Sequence, residues 1–146
     1  MSIKEQFVQN YGEQRVDSIG YCDEANVIAI FPKSAKTIGT IDVDGYEPVN
    51  NVTECVFWNS GKDTKQSINV YKVENEDSTV YLTKNIIDPF LDLLDCTTND
   101  LLSHPTMDRY PVIIDTGEDM LGIVAPRIES DSVTILERAI VSLEEY

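Results

Sequence analysis

Between Arg15 and Thr83 the chain is cut into six short apolar-rich runs by closely spaced turn residues. The runs cover 16–21, 26–31, 37–43, 52–58, 66–73 and 79–83. The breaks carry Asp23-Glu24, Pro32-Lys33-Ser34, Asp44-Gly45, Asn59-Ser60-Gly61 and Glu74-Asn75-Glu76-Asp77-Ser78. Such residues favour turns because they tolerate positive φ, fix φ, or bond their own backbone. The gaps are too short for the crossover helix that a parallel pair requires, so the runs are expected to pair as antiparallel hairpins. Asp44-Gly45 is the strongest single hairpin signal, since both residues accept φ > 0.

Helices are expected on either side of this block. Ser2 can cap a first helix, Glu5 stands at the capping-box position, and Gly12 supplies a stop. Ile3, Phe7, Val8 and Tyr11 then share one face. After Asn85, Asp88-Pro89 reads as an N-cap followed by proline at the first helical position, with Phe90, Leu91 and Leu94 facing a core. A second turn or short helix is expected over 98–102. Val112-Ile113-Ile114 and Leu121-Gly122-Ile123-Val124 flank Thr116-Gly117-Glu118-Asp119 in a hairpin pattern. Val133, Leu136, Ile140 and Leu143 predict a last helix over 131–144. The expected fold is one α+β domain over residues 1–146: a curved, mainly antiparallel sheet with an N-terminal helix, a short helical insertion, a late hairpin and a C-terminal helix.

Charge narrows the partners. The chain holds 26 acidic and 11 basic residues, a net of −15. Residues 1–73 carry 10 acids and 7 bases, whereas residues 74–146 carry 16 and 4, a net of −12. Such a field repels nucleic acid and anionic lipid and attracts basic surfaces. No direct nucleic-acid binding and no membrane binding are expected. The longest apolar run, Val27 to Phe31, is far short of the ~20 residues that cross a bilayer. Met1 to Gln6 place charge where an export signal carries its apolar stretch, so a cytoplasmic location is expected. Cys22, Cys55 and Cys96 form no Cys-x-x-Cys and are odd in number, which reads as buried reduced thiols.

Two motifs resemble known families. Asp115-Thr116-Gly117, after Pro111-Val112-Ile113-Ile114, resembles the active-site triplet of retroviral-type aspartic proteases, whose Asp pairs with a symmetry mate to activate water. Glu118 stands where that family has a small residue, and a hairpin turn explains the same letters. Trp58-Asn59-Ser60-Gly61-Lys62-Asp63-Thr64 resembles the Ser-Gly-Gly-x-Asp-Ser loop of pyrophosphate-forming ATP enzymes. Serine replaces the first glycine of the pair, and a strand pattern rather than a helix follows, so a turn is the better reading. His104 is the only histidine, so any Ser-His or Cys-His pair must use it; a loop role is expected. The acids lack EF-hand spacing, and neither a metal nor a cofactor is expected.

The candidate site is therefore acidic. Asp88, Asp92 and Asp95, spaced four and three apart, are expected along one side of the second helix, with Glu74, Glu76, Asp77, Glu118 and Asp119 extending the face. The expected function is a non-catalytic protein that engages a basic partner protein, such as one that binds nucleic acid. In sharper form it is a virus- or mobile-element-encoded inhibitor that mimics nucleic acid. A small assembly subunit forming a homo-oligomer is the alternative, and plain solubility explains the same acidity.

Overall fold

The computed structural model describes residues 2–15, 20–23, 27–34, 37–38, 41–60, 65–108 and 110–127, and the expected helix over 131–144 lies outside them. Helix α1 (Ile3–Tyr11) forms where its caps require. The Ser2 hydroxyl accepts the Glu5 N–H at 3.2 Å, and Gly12 closes the last turn at φ 89°, donating its N–H to the Val8 carbonyl at 2.9 Å.

Three antiparallel sheets follow. The largest orders β1 (Gln14–Arg15), β2 (Tyr21–Cys22), β3 (Ile28–Pro32), β12 (Met120–Val124), β11 (Val112–Asp115), β10 (Leu101–Ser103) and β6 (Glu47–Pro48). Its centre joins distant parts of the chain, with Ile28 opposite Val124 and Phe31 opposite Leu121. Strands β4 (Thr37–Ile38) and β5 (Ile41–Asp42) make a small pair. The third sheet orders β7 (Asn51–Ser60), β8 (Lys65–Asn75) and β9 (Ser78–Thr83). The α+β class therefore stands, with open sheets. Among the described residues no helix is long and apolar enough to cross a membrane.

Three local expectations are corrected. Asp44-Gly45 joins no hairpin, because β5 pairs with β4 while β6 pairs with β10. Instead the Asp42 carboxylate accepts the Asp44 N–H at 3.0 Å and caps a 3-10 turn over Val43–Gly45. Helix α2 (Lys84–Leu94) begins at Thr83, straight out of β9, so Asp88-Pro89 lies inside it. Starting a turn earlier buries Ile87 beside Phe90, Leu91 and Leu94. Pro89 leaves the Asn85 carbonyl without its helical donor, but both residues are exposed and water can satisfy it. Residues 98–102 also divide differently: Thr98–Asp100 form a 3-10 turn, while Leu101 and Leu102 enter β10 opposite Ile114 and Ile113.

Helix α2 lies against the main sheet. A Cβ on Gly122 would come within 2.6 Å of Leu94 Cδ1 and 3.2 Å of Phe90 Cε2, so only glycine lets the helix seat this closely. Phe7, Tyr11 and Phe90 pack their rings at centroid distances of 5.2–6.1 Å, which ties α1 to α2.

Tyr46, 9% exposed, donates its hydroxyl to the Pro111 carbonyl at 2.7 Å. Burial first, and then neighbouring Tyr110, holds the phenol above the usual tyrosine range. A group raised in the folded state contributes stability fully below its unfolded pKa, here 10.0, and loses it as pH climbs beyond. Tyr46→Phe is expected to cost about 1–3 kcal/mol at neutral pH, because it strips a buried carbonyl of its donor. It should also lose less stability than the parent between neutral pH and roughly pH 11. Urea unfolding at the two pH values checks both, and equal losses in parent and variant would remove Tyr46 as the source.

Candidate functional site

Carboxylates gather where α2 ends. Asp95 is the C-cap, in the left-handed conformation at φ 56°, and its N–H donates to the Asp92 carbonyl at 3.2 Å. The chain then turns through Cys96 into a capping box: the Thr97 hydroxyl accepts the Asn99 N–H, and Asp100 accepts the Thr97 N–H at 2.9 Å. Across from this turn, β11 delivers Asp115 and the Thr116-Gly117 turn. Together they border an open cleft of about 390 Å³ whose wall includes Asp95, Cys96, Asp100, Asp115 and Gly117. Pro48 and Leu102 supply its apolar part.

The thiol of Cys96 reports the local field. Burial pushes it up first, and Asp100, Asp95, Asp115 and Glu118 add to the shift in that order, taking it from 9.0 to about 11. Four carboxylates from three separate segments therefore act on one sulfur. Among the described residues they make a single ion pair, Lys33 to Asp115 at 3.6 Å, and both its partners are well exposed. The end of α2 is also the negative end of its dipole, with no basic residue in the last turn. Asp92 and Asp95 thus stand where the backbone itself disfavours them.

The expected acidic stripe divides. Asp92 is exposed on α2, Asp95 borders the cleft, and Glu118, exposed in the β11–β12 turn, adds its charge to the field at Cys96. Asp88 is committed elsewhere, accepting the Tyr71 hydroxyl at 2.6 Å and lying 3.9 Å from Lys84. Asp119 is exposed in the β11–β12 turn, where its carbonyl accepts the Lys33 N–H at 2.7 Å. Glu74, Glu76 and Asp77 lie at the other end of β10, around the β8–β9 turn. There the Asp77 N–H donates to the Pro105 carbonyl at 2.9 Å. Sequence reasoning missed Asp100, and it weighed Asp115 only for its triplet. The Thr97-x-x-Asp100 capping box was the available signal for the first.

The alternative motifs resolve into local structure. Asp115 Oδ1 accepts the Gly117 N–H at 2.9 Å, and the Thr116 hydroxyl donates to the Met120 carbonyl, so the triplet builds the hairpin turn. Trp58 to Ser60 finish β7, and 61–64 lie outside the described residues. His104 Nδ1 accepts the N–H groups of Thr106 and Met107 at 3.3 and 3.2 Å, placing its ring between Tyr46 and Tyr110. The Ser103 hydroxyl meets Asn75 at 3.2 Å and Cys22 is the one fully buried thiol, while Cys55 and Cys96 are half-buried, a correction to the sequence reading. Cys55 sits on an edge strand and Cys96 at the cleft, where neither can be enclosed. Among the described residues no three His, Cys, Asp or Glu side chains converge to hold a metal ion.

Comparison with protein-family models, curated proteins and solved structures returns no significant match.

Proposed function

We propose that this chain is a non-catalytic binding protein whose acidic end engages a basic surface of another protein. The observation that carries this reading is the meeting of Asp95, Asp100, Asp115 and Glu118 around Cys96, at the negative end of α2. Like charges held together with one cation, Lys33, among the described residues cost stability, and departures of that kind concentrate at functional surfaces. A lysine- or arginine-rich partner would offset the cost. The sharper form of the proposal is an inhibitor that occupies the basic groove of a nucleic-acid-binding protein.

The test is capture of nucleic-acid-binding proteins on the immobilised chain at low and high salt, with free duplex DNA as competitor. Retention at low salt, release at high salt and displacement by DNA are expected. The Asp92→Asn, Asp95→Asn, Glu118→Gln triple variant should retain less and show a flatter salt dependence. Equal retention by parent and variant would remove this end of the molecule as the interface. A self-associating assembly subunit is the second reading, favoured by the outer side of β7, which no described strand pairs with.

A further inference from the structure

We propose that the outer edge of β7 pairs antiparallel with β7 of a second copy of this chain, about a two-fold axis at Cys55. Among the described residues strand β7 ends its sheet, and its register with β8 runs unbroken from Asn51 opposite Glu74 to Ser60 opposite Lys65. Exposed edges are ordinarily protected by proline, lysine, bulges or brevity. Strand β7 has ten residues, no proline, no lysine and no bulge. Its one acidic side chain, Glu54, is taken by Lys84 at 3.1 Å. The other described edges are short or closed: β1, β4, β5 and β6 have two residues each, β6 ends in Pro48, and Arg127 bridges to Tyr81 on the free side of β9.

The uneven lengths of the strands favour a second copy. Strand β9 backs β8 only from Val70 onward, so Val56–Ser60 and Lys65–Asn69 continue as a two-stranded ribbon. Such a ribbon is marginal in water and gains stability from a third strand. Val56 on it is 49% exposed. With Cys55 opposite Cys55 of the second copy, each ribbon lies along the part of the other β7 that three strands already support. Each copy thereby supplies what the other lacks. In this register Glu54 faces Val56 of the second copy, so no like charges stand directly opposite. A basic segment finds little to recognise here, since the single carboxylate of this edge is already paired.

The inference is independent of the acidic cleft and has the opposite salt response. Two copies at −15 each repel, so added salt should tighten the dimer while it weakens binding to a basic partner. Sedimentation of the purified chain should show a dimer that strengthens with salt, and a short bis-maleimide should link it through Cys55, with the link lost in Cys55→Ser. Val56→Glu, which sets carboxylates opposite Glu54, is expected to weaken the dimer roughly ten-fold or more. Val56→Lys, equally polar at the same site, should restore it by facing Glu54. Circular dichroism of both variants establishes that β7 is retained. A folded chain that stays monomeric at every concentration and salt would overturn the proposal, as would a dimer equally stable in both variants. The cleft triple variant should still dimerise, so failure of one reading leaves the other standing.

Discussion

Phe90→Ala is expected to remove about 3–5 kcal/mol of stability, a large part of the ~5–15 kcal/mol that holds a domain of this kind together. Phe90 is fully buried and meets the rings of Phe7 and Tyr11 at 6.0 and 6.1 Å. It also stands beside the bare Cα of Gly122, which has no side chain of its own to move into the space. The cavity should therefore stay open, which places the cost in the upper part of the range for such truncations. Urea unfolding followed by circular dichroism measures it, with a lower midpoint and an unchanged slope. A loss below about 1 kcal/mol would mean that α2 does not rest on β12 as described. Pro89→Ala, one residue away on the exposed side, is the matched control, because it restores a helical N–H without touching the core.

The second large effect is chemical. Moving a thiol from 9.0 to about 11 lowers its thiolate fraction near pH 8 about 100-fold, and since a more basic thiolate is also the better nucleophile, Cys96 should alkylate roughly ten-fold more slowly than an unperturbed cysteine. Burial is the first cause, and that part should persist in any surface variant. The contribution of the carboxylates should not. Asp95→Asn with Glu118→Gln removes two of the four charges, lowers the thiol pKa and is expected to raise the alkylation rate several-fold at low salt. Salt should narrow the gap between variant and parent, since the repulsion is partly screened. Mass spectrometry of the Cys96 peptide over a time course gives the rates directly. Identical rates would show that burial alone governs the sulfur and that the acidic end exerts little field there.

Local chemistry was legible in the sequence, and assembly was not. Ser2, Glu5 and Gly12 delimit α1 because capping is settled within a few residues. The pattern from Val112 to Val124 gives its hairpin for the same reason. Asp44-Gly45 misled because a type of turn does not determine which strands it joins; that depended on β10, which draws β6 into the main sheet. Asp88-Pro89 misled because two apolar residues ahead of it, Ile86 and Ile87, gain more by entering the helix than proline costs on a wet face. The surplus of acid in residues 74–146 signalled that negative charge would collect somewhere. No periodicity could tell that Asp95, Asp100 and Asp115 would border one cleft, since the strand pairing that unites them is long-range.

The pairing of β3 with β12 also sets an order of events during synthesis. Strands β7, β8 and β9 are sequential hairpins and can close as soon as they leave the ribosome, within the microseconds typical of local contacts. Strand β3 emerges long before them, yet its central neighbour is made of residues 120–124. Until those residues are made, Ile28, Ala29, Ile30 and Phe31 must wait without that partner, an apolar run open to chaperones and to wrong pairings. A pause after β9 would lengthen that exposure, whereas moving β12 ahead of β3 by circular permutation would shorten it. The last strands of this sheet are thus the ones that commit the nascent chain to its fold.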